Sequence, residues 1–107
     1  MGPIMLGNLV LDRERYEVRI DGRRVELTFM EFALLDELVR QPGLVVLQEK
    51  LLGALWGDAS PKLASRLRVQ MSRLRKKLED STPWSIRTVK KRGYALTNVS
   101  DQRNGVG

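Results

Sequence analysis

Between Lys62 and Leu78 the chain carries two patterns at once, and together they leave few folds open. Leu63, Leu67, Met71, Leu74 and Leu78 recur every three or four residues, the spacing of one face of an α-helix. The same stretch holds seven cations (Lys62, Arg66, Arg68, Arg73, Arg75, Lys76, Lys77) and no acid. A helix over residues 61–78 therefore turns its leucines to a core and a cationic flank to the outside, where Ser65, Val69, Ser72 and Lys76 group beside Lys62, Arg66 and Arg73. Arg68 and Arg75 fall on the shoulder, where long stems lie along the protein while the heads reach phosphates or a structural carboxylate. Ser60 as N-cap and Pro61 at the first helical position mark the start.

The rest of the charge sharpens this picture. Residues 1–61 carry 7 basic and 10 acidic side chains, residues 62–92 carry 11 basic and 2 acidic, and the remainder balances, so the net +6 is polarised. A charge run is often only a solvated face, but this one repels itself unless a polyanion neutralises it. With no cysteine and no histidine, disulfide frameworks, thiolate zinc sites and thiol catalysis are excluded, and the commonest general base and metal ligand are missing. No apolar run approaches the roughly 20 residues of a membrane span, and the N-terminus lacks the layout of a secretion signal. The 107 residues predict one domain, expected in the cytoplasm and without a cofactor or metal.

Around the basic segment the elements follow from periodicity and punctuation. Leu9-Val10-Leu11 and Tyr16 to Ile20 read as strands, Asp21-Gly22 as a turn, and Arg24 to Leu27 as a third strand, so residues 7–27 form an antiparallel meander. Thr28 and Glu31 make a capping box, after which Phe32, Leu35, Leu38 and Val39 keep helical spacing until Pro42-Gly43. Val45 to Leu47 is a short β-branched connector; Leu51, Leu52, Leu55 and Trp56 then share one side of a second helix that Gly57 ends. Residues 79–85 read as a loop, and Ile86–Val89 and Tyr94–Thr97 as two strands around Lys90-Lys91-Arg92-Gly93, a hairpin with a cationic tip. The expected class is α+β: a small N-terminal antiparallel sheet, three helices and a C-terminal β-hairpin wing, together a winged helix-turn-helix over residues 7–99. Residues 1–6 are expected to be disordered or an added leader, because Met1-Gly2-Pro3 precedes a second methionine at Met5. Residues 100–107 are expected to form a flexible tail.

A helix of this kind fits the major groove of duplex DNA, whose width admits one α-helix. Arg73 can offer two donors to guanine, Gln70 can pair with adenine, and Val69 can meet a thymine methyl. At the hairpin tip Lys90, Lys91 and Arg92 can follow a phosphate backbone or enter a narrow minor groove, with the Thr88 hydroxyl added to a phosphate. Two rival classes can be stated. An enzyme would use Ser72 with Lys76, one helical turn apart, but an open cationic face has nothing to depress the lysine pKa; Asp36-Glu37 and Glu79-Asp80 diverge in direction. A membrane-surface or acidic-partner module would need the leucine stripe free, whereas Phe32, Leu35 and Val39 of the first helix require that same stripe as their partner.

Several stretches resemble one known family. Leu27-Thr28-Phe29-Met30-Glu31-Phe32-Ala33-Leu34-Leu35, Leu51-Leu52 with Trp56-Gly57, Ser72-Arg73-Leu74-Arg75-Lys76-Lys77-Leu78, and Thr88-Val89 with Gly93-Tyr94 are similar, in order and spacing, to the C-terminal effector domain of OmpR/PhoB-type two-component response regulators, over about residues 7–97. The resemblance implies a bacterial transcription regulator, a preceding receiver domain, and dimeric binding to tandem DNA half-sites. It implies DNA contacts from Ser65, Arg66, Val69, Gln70, Ser72, Arg73 and Arg75 on the helix and from Thr88, Lys90 and Tyr94 on the wing, to which charge adds Lys91 and Arg92. It also implies an RNA polymerase contact at the loop Gly57, Asp58, Ala59 and Ser60. A free-standing or nonspecific winged-helix binder is the alternative within the same fold. The chain departs from the family pattern at Leu47, where a capping Ser or Thr is usual, at Gln70 and Arg68, where histidine and an acid are common, and at Lys91, where glycine is frequent.

Overall fold

In a computed structural model, residues 2–79 and 83–98 are described. The first four strands, β1 (Ile4–Leu6), β2 (Leu9–Asp12), β3 (Glu17–Ile20) and β4 (Arg23–Val25), form an antiparallel sheet in chain order. Its alternation decides which face is buried: Leu9 pairs with Ile20 and Leu11 with Val18, and all four side chains are inside, while Arg19 opposite Val10 faces out. The sheet starts earlier than the sequence reading placed it, since Ile4–Leu6, assigned there to a leader, pair with β2 and pack Ile4 and Leu6 against the core. Three residues are too few to show a period. Tyr16, read as a strand residue, lies in the turn between β2 and β3 at φ 52, where the Asp12 carboxylate accepts the N–H groups of Glu14 and Arg15 and bends the chain.

Helix α1 (Phe29–Val39) opens on the capping box: Thr28 Oγ1 accepts from Glu31 N at 3.2 Å and Glu31 Oε1 accepts from Thr28 N at 2.8 Å. It contributes Phe32, Leu34, Leu35, Leu38 and Val39 to the core. Strand β5 (Val46–Leu47) leads directly into α2 (Gln48–Trp56), which ends on Gly57 at φ 68 with its N–H on Gly53 O. Leu47 stands at the N-cap of α2 with no side-chain bond, as the absence of a Ser or Thr implied.

The leucine-striped segment begins as one 3₁₀ turn (Pro61–Leu63) and continues as α3 (Ala64–Lys77), a tighter start than the uniform α-helix expected over 61–78. Ser60 caps that turn by accepting from Lys62 N. Leu67, Met71, Leu74 and Leu78 are buried against α1 and α2, so the stripe faces the core. A second sheet, ordered β5-β7-β6, is completed by the hairpin β6 (Trp84–Val89) and β7 (Gly93–Asn98). The strand begins two residues before the expected Ile86, because Trp84 is buried and its indole N–H donates to Asn8 Oδ1 at 2.8 Å, tying the two sheets together. Gly93 is required where it stands: a Cβ there would sit 2.0 Å from the Val46 carbonyl oxygen of β5. The expected flexible tail, residues 100–107, lies outside the described residues, as do Asp80, Ser81 and Thr82.

Candidate nucleic-acid interface

With its leucines inward, α3 presents Ser65, Arg66, Val69, Ser72 and Arg73 to solvent, flanked by Lys62, Arg68 and Lys76. The side-chain charges of Lys62, Arg66, Arg68, Arg73 and Lys76 have no partner among the described residues. Four cations on α3 and one on the turn before it, none neutralised among the described residues, create a positive field over this face. Val69, 47% exposed, leaves an apolar side chain in the middle of it. Gln70, named as a candidate base reader, is half-buried and stands at the margin of this face.

The hairpin brings a second group of charges. Lys90, Lys91 and Arg92 are exposed in the turn, which Arg92 N closes by donating to Val89 O at 2.9 Å. Lys91 occupies the second central position at φ 63, the left-handed conformation that glycine adopts without strain. The backbone of Arg92 is itself held, since its carbonyl accepts from Gln48 N of α2 at 2.9 Å. The tip is thereby anchored to the helix-turn-helix.

Three residues named from the resemblance are engaged with one another. Arg75 is half-buried; its Nε donates to the Ile86 carbonyl at 3.1 Å, another guanidinium N–H donates to Thr88 Oγ1, and its Cζ lies 5.6 Å from the centre of the Tyr94 ring. Tyr94, which the resemblance implied as a wing contact, is 6% exposed and packs with the core. Ser72 and Lys76, the pair considered for catalysis, are exposed and share a shallow depression with Arg75 and Glu79. In the loop after α2, Gly57, Asp58 and Ala59 are exposed and Ser60 is half-buried, fixed by Asp58 Oδ1 accepting from Ser60 N at 3.0 Å.

Two ion pairs that periodicity does not suggest tie α1 to its neighbours, one of them to α3. Lys77, one of the seven cations of the segment, pairs with the buried Glu31 at 2.5 Å and so joins α3 to α1. Burial alone would raise the Glu31 carboxyl, but the Lys77 ammonium, the Thr28 N–H and the Thr28 hydroxyl outweigh it and hold the pKa below the ordinary value. Arg13, from the turn after β2, reaches Asp36 on α1 at 2.8 Å; against the penalty of burial, Arg13 and Arg40 hold that carboxyl low as well. The only hint of the first pair was that the capping glutamate has lone pairs to spare.

Residues 22–96 match the family model described as "Transcriptional regulatory protein, C terminal". Response regulator MprA of Mycobacterium tuberculosis is 39% identical over 90 residues, covering 83% of this chain and 39% of that protein, so the chain spans about two-fifths of the curated relatives it matches. Among solved structures, the RstA DNA-binding domain of Klebsiella pneumoniae in complex with the RstA box superposes with a TM-score of 0.80 at 32% identity, covering 91% of this chain and 98% of that one. The DNA-binding domain of CpxR from E. coli gives 0.79 at 33%, covering 92% and 98%.

Proposed function

Because this chain belongs to the family of C-terminal domains of transcriptional regulatory proteins, the winged-helix effectors of OmpR/PhoB-type response regulators, we propose that it binds double-stranded DNA sequence-specifically, with α3 in the major groove and the β6–β7 tip on the adjacent backbone or minor groove. The observation that carries this reading is the outward face of α3, where Arg66 and Arg73 are exposed and, among the described residues, unpaired, with Val69 between them along the helix. Arg73 and Val69 read base edges, with Gln70 beside them at the margin; Ser65, Arg66 and Ser72 position the helix on phosphates. Lys90, Lys91 and Arg92 supply the sequence-independent part of the affinity. The role is binding without a chemical step, exerted in the cytoplasm, with no metal or cofactor.

The finer parts of the reading concern assembly. Two copies occupy tandem half-sites, each weak alone, and the second binds at the effective concentration set by the first. The exposed Gly57–Ala59 edge, next to the groove helix but outside its contact face, is offered to RNA polymerase. Selection from a pool of random duplexes, followed by titration of the enriched sequence at two salt concentrations, tests the whole. A tandem motif with steep salt dependence is expected. Recovery of no motif would reduce the protein to a nonspecific binder, and sedimentation with anionic vesicles without any duplex binding would overturn the reading.

A further inference from the structure

We infer that Arg75 is a positioning residue for DNA binding: its guanidinium fixes the wing to the groove helix, so that the tip cations and the base-reading face dock as one unit. This rests on the DNA-binding reading above. Two of the five guanidinium N–H groups of Arg75 are directed at the protein, to the Ile86 carbonyl and the Thr88 hydroxyl of β6, while its Cζ lies over the Tyr94 ring of β7. Thr88 and Tyr94 are directly opposite each other in the hairpin register, so one side chain of α3 grips both strands at the same level. That level is two residues from Lys90 and, on the helix, two residues from Arg73. Only a planar fork with several fixed donors can satisfy two acceptors and face a ring at once; a lysine in the same place reaches one.

A wing held this way is ordered before DNA arrives. Its cations then act without the entropic cost of being oriented on binding, and their contribution depends on Arg75 although Arg75 touches none of them. The clamp makes a distinction that charge counting cannot. A phosphate contact tolerates exchange for another cation, whereas a clamp does not.

The test uses the whole chain and the duplex recovered by selection, with Arg75→Lys, Thr88→Val, Lys90→Ala and their pairwise combinations, each checked for folding by circular dichroism. Arg75→Lys, which keeps the charge, is expected to weaken binding about tenfold with little change in salt slope, and adding Thr88→Val should cost at most about twofold more. Lys90→Ala should weaken the unsubstituted chain about fivefold but the Arg75→Lys chain less than about twofold, the coupling expected when one residue acts through another. In the free protein, the Arg75 Nε–H, held on the Ile86 carbonyl, should exchange slowly with solvent by NMR. Full affinity of Arg75→Lys, independent multiplicative losses, or fast exchange in the unsubstituted chain would each overturn the clamp. If the unsubstituted chain binds no duplex in dilute buffer, the DNA-binding reading itself fails and the inference falls with it, even with a protected Nε–H.

Discussion

At the scale of single residues the sequence separates inward from outward well but cannot say what a polar side chain holds. Leu67, Met71 and Leu74 are buried and Arg66, Val69 and Arg73 exposed, as their spacing required. Arg75 and Tyr94 could not be read that way, because their partners lie 11 to 19 residues away along the chain and no local period reports them. Two substitutions bear on the exposed set. If Arg73 reads a base, Arg73→Ala costs about 1 to 3 kcal/mol on the matched duplex and far less on a scrambled one, measured by fluorescence anisotropy; equal losses on both would make it a backbone contact. Lys91 poses the opposite question, since a side chain at φ 63 stores strain that glycine would release. Lys91→Gly is expected to raise stability by about 0.5 to 1 kcal/mol, part of the relief being offset by the freer unfolded chain, and to soften the salt dependence of binding. Urea unfolding that shows a loss instead would mean the turn is unstrained with lysine.

Elements were legible where a period or a stop signal ran long enough to be seen. The capping box at Thr28 and Glu31, the glycine that ends α2 and the Ser60-Pro61 start are all present as written. The misses are short: the three residues of β1, and the first two of β6, whose reason for being strand is a tryptophan bonded to Asn8 across the molecule. Leu47 is the element-scale weakness that both sequence and structure display. Its backbone already has the extended conformation of an N-cap, at φ −65 and ψ 146, but the side chain offers no acceptor to the free N–H groups of α2. Leu47→Ser should therefore stabilise the protein by about 0.5 to 1 kcal/mol. It should do so without altering the preferred DNA sequence, because the residue lies on the edge strand β5 and not on the face of α3. Thermal unfolding decides; an unchanged or lowered midpoint would show that the exposed leucine contributes more by packing than a cap would.

For the molecule as a whole, the polarity of charge along the chain becomes a division of labour in space. Much of the acidic charge of the N-terminal half is occupied with arginines: Asp36 binds Arg13 and Arg40, and Glu17 lies beside Arg19 and Arg24. Glu31 instead reaches into the basic half to Lys77 and joins the scaffold to the groove helix. Glu31 and Asp36 both have folded pKa values below their ordinary ones. The unfolded chain therefore takes up protons at a higher pH than the folded one, so their stabilisation is complete above the ordinary carboxylate range, near pH 4, and is lost as pH falls through the lowered folded values. Glu31→Gln keeps an oxygen for the Thr28 N–H but gives up the charge that faces Lys77. It should cost about 1 to 2 kcal/mol at pH 7, where a charged hydrogen bond is removed, and almost nothing once Glu31 of the parent chain is protonated. Urea unfolding of both proteins from pH 7 to pH 2.5 should thus give two stability curves that converge toward acid. Curves that stay parallel would mean that the Glu31–Lys77 pair is not the link between α1 and α3, and that packing of the leucine stripe alone sets the angle at which the arginines meet DNA.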